Sequence, residues 1–186
     1  RHRPGRTLTQ MVLALADGAT CLSDLAVLRN QPAMFGPVAS EATAWRTFDR
    51  IGPAELAGID AARRDARARA WAAGAGPTGG DVIIDVDSTV VTTNADKQDA
   101  AATYKRTYGH HPMLAMIAET GEMLCGILRP GNAGANTAVD LVEILTIAVE
   151  QLPSEWAAGH DLGDKPDLVQ HGLLIRADSA GASYWF

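Results

Sequence analysis

Along residues 81–91, DVIIDVDSTVV, side chains alternate: Val82, Ile84 and Val86 fall on one side of an extended chain, Ile83, Asp85 and Asp87 on the other. This predicts a half-buried strand with two acids on its open face. Pro112–Ala118 and Met123–Leu128 are apolar runs on either side of Glu119, Thr120, Gly121 and Glu122, the pattern of a hairpin. A wide helical stripe follows in Ala138, Leu141, Val142, Leu145, Ala148, Val149 and Leu152; Asn136 is placed to cap it and Pro153 to stop it. Ser154–Asp167 reads as loop, and Val169–Ala177 as a strand that delivers Asp178. Before residue 74 the period is helical instead. Leu8, Met11, Val12 and Leu15 share one face, and Ala44, Trp45, Phe48 and Ile51 share another, behind an N-cap at Ser40 with Glu41 in the first turn. Glu55–Ala73 is a third, Ala- and Arg-rich helical segment. The expected organisation is a helical bundle over 1–73, a Gly-rich linker over 74–80, and an α/β domain over 81–186 in the order strand, hairpin, helix, strand.

At 186 residues the chain can bury a core. No apolar run is long enough to cross a bilayer and no signal peptide is visible, so a cytoplasmic location is expected. Cys21 and Cys125 are too few for a disulfide framework or zinc site and are expected to be buried thiols. Because the chain starts at Arg1 rather than Met, and ends soon after Asp178, it is expected to belong to a longer polypeptide. Charge is uneven: residues 1–69 hold ten Lys/Arg against seven Asp/Glu (+3), residues 70–186 six against fifteen (−9). Bulk charge in the second part therefore opposes nucleic acid, unless several of its acids are neutralised by metal.

Two crowded carboxylates resist joint ionisation unless a cation or a shared proton relieves them, and such a pair is used to hold Mg²⁺ for phosphoryl chemistry. Asp85 and Asp87 on one strand, with Asp178 after another, point to a phosphorylated substrate. One reading of DVDST is the Asp-x-Asp-x-Thr strand of haloacid dehalogenase-like phosphatases, with Asp85 as nucleophile and Asp87 as acid/base. There, however, Thr89 stands one position early, and the pair Gly163-Asp164, the candidate for that family's later motif, lies in a polar stretch.

A longer match lies elsewhere. Asp-Ser-Thr at 87–89, Tyr-Gly-His-His-Pro at 108–112, Arg-Pro-Gly-Asn at 129–132 and Arg-Ala-Asp-Ser at 176–179 resemble the catalytic domain of DDE-type transposases of bacterial insertion sequences. The resemblance runs from about Leu8 to the end of the chain, and the element order is that of the first half of the ribonuclease H-like fold. It implies that Asp87 and Asp178 are the first two catalytic acids, with Asp85 the rival metal ligand for Asp87. The family's third acid, a glutamate on a later helix, is expected beyond Phe186. The implied cofactor is Mg²⁺, with Mn²⁺ as substitute: two ions roughly 4 Å apart would activate a water or a DNA 3′-hydroxyl for in-line attack on phosphate. The implied partners are DNA, both the terminal inverted repeats and the target, and a second copy of the protein when two ends are paired. A non-catalytic remnant that binds DNA or itself is the remaining alternative.

Lys97, Lys105, Arg106 and Arg129 are candidates for neutralising phosphates. In Ser40–Ile51, the Ser-x-x-Thr-x-x-Arg spacing suits the recognition helix of a helix-turn-helix, with Leu25 and Ala26 on the helix before it and Thr43, Arg46 and Arg50 facing a groove. His110 and His111, ahead of Pro112, read as packing or turn residues rather than ligands.

Overall fold

The alternation at 81–88 becomes strand β1 (Asp81–Ser88): Val82, Ile84 and Val86 are buried, Asp85 is half-buried and Asp87 is exposed. The computed structural model describes residues 2–94, 96–134, 137–157 and 172–178. Asn136, Gly163, Asp164 and the predicted loop beyond residue 157 lie outside the described residues. The chain forms two compact units, Arg1–Ile59 and Asp60–Phe186.

In the second unit, β1 is continued by the short β2 (Val91–Thr92), and β3 (Ala101–Ala102), β4 (Tyr108–His110), β5 (Met113–Ile117) and β6 (Met123–Ile127) follow, with β7 (Gly172–Ala177) last. The main sheet has the order β6-β5-β1-β7. Strand β5 runs antiparallel to β1 and β6, whereas β7 runs parallel to β1. This is the ribonuclease H-like arrangement in partial form, within a mixed α/β fold preceded by helices. Helix α6 (Ala138–Glu150) supplies the crossover side, capped by Thr137, whose hydroxyl accepts from the Asp140 N–H, and it buries Leu141, Ile144, Leu145 and Ala148. These meet Val82, Ile84, Val86, Met113, Ala115, Ile117 and Leu124 in one core. A short helix α7 (Ser154–Ala157) begins the segment expected to be loop.

The helix α5 (Pro53–Ala70) crosses the boundary between the units, and its C-terminal half belongs to the sheet. Arg67 is buried there, bonded to Glu122 Oε1 at 2.7 Å and to the Gln151 carbonyl, and Arg63 donates to the Met123 and Leu124 carbonyls. Trp71 follows in the core, edge-on to Trp156 at 5.3 Å. The stretch after it is held as well, since Thr78 donates through N–H and hydroxyl to Glu119.

A second sheet, β2-β4-β3, sits beyond the end of β1. Its backbones approach very closely: a methyl added at Gly131 would overlap the Ala101 and Gly109 carbonyl oxygens, and one at Gly109 would overlap the Val91 carbonyl oxygen. The glycines of Tyr-Gly-His-His-Pro and Arg-Pro-Gly-Asn are thus one packing unit, closed by a bridge between His110 and Pro130. Gly131→Ala is expected to lower stability by about 1–3 kcal/mol, the usual cost of overpacking, as read from the midpoint of urea unfolding at unchanged slope.

The first unit holds α1 (Pro4–Ala16), α2 (Leu25–Arg29), α3 (Pro32–Phe35) and α4 (Glu41–Phe48), with Met11, Ala14, Leu25, Leu28 and Ala44 as its core. Ser40 caps α4 as predicted, accepting from Thr43 N–H at 3.3 Å. The predicted faces are rotated, however. Val12, Leu15, Trp45 and Phe48 are exposed, and α1 buries Thr7 and Gln10 beside Met11 and Ala14. Gln10 explains the turn inward: its amide donates to Pro37 O at 2.9 Å and accepts from Ala39 N–H at 3.0 Å, satisfying backbone that no helix covers. Cys125 is buried, its thiol pushed up to about 11 mainly by desolvation, but Cys21 is exposed, contrary to the reading of both thiols as buried.

Candidate active site

The pairing of β1 with β7 determines which acids meet. Ile84 stands opposite Ile175, Asp85 opposite Arg176, and Val86 opposite Ala177. Asp87 and Asp178 follow directly on these paired positions, at the same ends of neighbouring parallel strands. In-register residues of adjacent strands project to the same side, so Asp87, still within β1, shares the face of Asp85 and Arg176, away from the core, and Asp178 is the first residue past the end of β7. Both are exposed. The Asp87 carboxylate accepts from the Ser88 N–H at 2.7 Å, which orients one oxygen along the chain.

Asp85 has a different neighbour. Arg176 grips it with two parallel bonds, Nε to Oδ1 at 2.6 Å and Nη2 to Oδ2 at 2.7 Å. The guanidinium holds the Asp85 carboxyl below its ordinary value of 3.8 through these hydrogen bonds, against a smaller opposing effect of burial. Both carboxylate oxygens are therefore engaged by a cation of the protein itself. The stability that this pair contributes is present above the ordinary carboxylate pKa and is lost as pH falls through the lowered folded value. The stability gap between wild type and Asp85→Asn should accordingly be constant above about pH 5 and close below it, as followed by chemical denaturation at several pH values. The gap will be small, because both partners are partly exposed.

Behind Asp87 lies a buried cation, Arg129. Its Nη2 donates to Ser88 Oγ at 2.8 Å, its Nε to His111 O at 3.0 Å, and its Nη1 to Asp140 Oδ2 at 2.7 Å and Gly134 O at 3.3 Å. At 5% exposed it has no access to a phosphate, so its reading as a DNA-neutralising residue is corrected: the guanidinium ties the end of β1 to the start of α6. His110 and His111 are buried beside it, with Nε2 bonded to Gln98 O at 2.9 Å and Nδ1 to Ala133 O at 3.1 Å. They serve packing, as the sequence suggested. Lys97, Lys105 and Arg106 are exposed on the small sheet and its loops.

In the first unit, Arg46 and Arg50 do face a cleft, of about 670 Å³, lined also by His2, Arg3, Pro4, Thr43 and Thr47. Arg3 and the N-terminus of α1 were not part of the sequence reading of this surface. The turn expected between two helix-turn-helix helices is replaced by the separate helix α3 between α2 and α4.

A family model described as Transposase DDE domain group 1 matches residues 1–184 of this chain. The chain belongs to this transposase family. No curated protein and no solved structure matches it. Transposases of this family act on DNA and generally use a divalent metal. The phosphatase alternative falls with this assignment, and the antiparallel pairing of β1 with β5 also opposes it. Among the described residues of the transposase, no group of three or more His, Cys, Asp or Glu is placed to hold a metal, and no helix is long and apolar enough to cross a membrane.

Proposed function

We propose that Asp87 and Asp178 are the first two carboxylates of a site for metal-dependent DNA strand cleavage and transfer at the ends of an insertion sequence. The observation that carries this is the β1–β7 register, which sets the two acids at adjoining strand ends on the solvent face. Their chemistry fits a hard divalent ion: Mg²⁺ is commonly held by one or two carboxylates, with waters and substrate phosphates completing its shell. When bound, such an ion supplies Lewis-acid charge at phosphate and lowers the pKa of a water or 3′-hydroxyl. Asp87 is the better first ligand than Asp85, whose oxygens are occupied by Arg176. A third carboxylate would come from residues other than those described.

The protein's own residues prepare this site. Ser88 N–H fixes one Asp87 oxygen, and Arg129 fixes Ser88 through its hydroxyl. Arg176 offsets the charge of Asp85, so that negative charge at the strand end is concentrated on the acids meant for metal. The helical region contributes the cleft of Arg3, Arg46 and Arg50, whose cations suit DNA phosphates and whose α1 N-terminus adds a favourable dipole. Lys105 and Arg106, exposed at the tip of the β3–β4 hairpin, add cations suited to DNA phosphates. Pairing two element ends calls for at least two copies of the protein.

Mn²⁺ titration followed by electron paramagnetic resonance tests the site directly. Wild type should bind with a dissociation constant of about 10⁻⁴–10⁻³ M, as suits few charged ligands. Asp87→Asn and Asp178→Asn should each abolish binding, and Asp85→Asn should retain it. Binding unaffected by either of the first two substitutions would remove the metal role, leaving a DNA-binding or self-associating chain.

A further inference from the structure

The hairpin of β3 and β4 carries a surface that the carboxylate chemistry does not use. Its tip is tightly built: Thr103 N donates to Thr107 O at 2.8 Å, Arg106 N to Thr103 O at 3.0 Å, and the two threonine hydroxyls lie 2.7 Å apart. Arg106 sits at φ 60, a conformation that a non-glycine residue keeps only where surrounding bonds enforce it. This turn holds Tyr104, Lys105 and Arg106 out to solvent, with Tyr108 at its foot; Tyr104 is 69% and Tyr108 44% exposed. Single exposed tyrosines are ordinary. Here, two flank a pair of cations within five residues, and the outer ring is supported: it lies 5.6 Å from the His111 ring, and the Lys105 ammonium is 5.6 Å from its centroid.

The hairpin is also anchored to the Asp87 end of β1. Strand β2 pairs with β4, Thr93 N donates to Tyr108 O at 2.9 Å, and Thr89 N donates to Pro112 O at 3.1 Å. Arg129 links His111, which carries Tyr104 on its ring, to Ser88 beside Asp87. Aromatic side chains flanking cationic ones on a firm support are what unpaired nucleotides bind: each base offers a π-face and each linkage a phosphate. We propose that Tyr104 and Tyr108 are stacking platforms for unpaired bases of the DNA strand end brought to Asp87, with Lys105 and Arg106 holding the flanking phosphates. This rests on the reading that Asp87 acts on DNA. Bases freed near a strand end expose faces that stacking on the two rings would shelter.

The test compares one labelled duplex, blunt or with a short 3′ overhang containing 2-aminopurine, bound to the 186-residue chain by fluorescence anisotropy. Wild type should prefer the overhang by about tenfold, with quenching of the 2-aminopurine. Tyr104→Leu and Tyr108→Leu should each remove most of that preference without changing affinity for the blunt duplex, and Tyr104→Trp should keep it. Lys105→Ala and Arg106→Ala should weaken both DNAs alike and flatten the salt dependence. The overhang preference and the quench are read without added divalent metal, whereas the cleavage reading stands or falls on the Mn²⁺ titration, so failure of the cleavage reading and failure of stacking appear in different measurements. Equal binding of the two DNAs by wild type, or leucine variants that discriminate as wild type does, would overturn the proposal. Should a leucine variant fail to fold, the wild-type quench decides: an overhang bound without quenching rules stacking out.

Discussion

Asp87→Asn is expected to slow metal-dependent DNA strand cleavage by the transposase by about 10²–10³-fold or more, the scale on which loss of one preorganised electrostatic contact slows a reaction. Stability should change by less than about 0.5 kcal/mol, as for most surface substitutions. The side chain is exposed at the end of β1, and asparagine keeps the oxygen that accepts from Ser88 N–H. What it removes is charge, and with charge the affinity for a hard cation. The fold loses nothing by this, since the bond from Ser88 N–H is kept. Cleavage of end-sequence DNA in Mg²⁺ and in Mn²⁺, measured beside a thermal melt, separates the two effects. Cleavage at the wild-type rate would show that Asp87 is not a ligand. Asp85→Asn serves as the contrast, because its main effect should fall on the pair with Arg176.

Arg129→Leu should produce the largest loss of stability, about 3 kcal/mol, toward the low end for breaking a buried ion pair. The loss is limited because the Asp140 side chain is 24% exposed and water can partly replace the guanidinium. Against that, His111 O, Gly134 O and Ser88 Oγ lose donors together. Lysine should rescue little, since a single ammonium cannot serve the three directions that the guanidinium spans. Denaturant unfolding of Arg129→Leu, Asp140→Asn and the double variant gives the coupling: the double variant should be less destabilised than the sum of the singles. An unfolding midpoint equal to that of wild type in Arg129→Leu would mean that the end of β1 does not depend on this residue.

Much of the sheet was legible because its pattern is simple. Alternation at 81–88 and the turn at 119–122 place β1 and the β5–β6 hairpin, and the apolar stripe after residue 137 places α6. The strands β2, β3 and β4 were not legible, since two or three residues show no period. The glycines that pack them bear no pattern until their partners are known. In the first unit, apolar spacing gave helices but misjudged their faces: in so small a bundle, only one side of α4 is covered, and the buried side of α1 is decided by the bonds of Gln10. The proposal of Asp87 and Asp178 came through resemblance. The pairing of Asp85 with Arg176, which favours Asp87 over Asp85 in that proposal, was not legible, because the two meet across 91 residues of chain. Arg129 was misread for a related reason, as the same guanidinium fork suits a phosphate or a set of buried oxygens, and only burial tells them apart.

The parallel pairing of β1 with β7 also imposes an order in time. During synthesis Asp87 leaves the ribosome 91 residues ahead of Asp178 (from 87 to 178), a delay of roughly 5–20 s at ordinary elongation rates. Throughout that interval the hairpin and α6 can form on β1, yet the strand that brings the second acid does not exist. If the proposed function holds, a nascent chain therefore completes the helical surface proposed to meet DNA well before the second proposed metal ligand exists, so that binding precedes cutting.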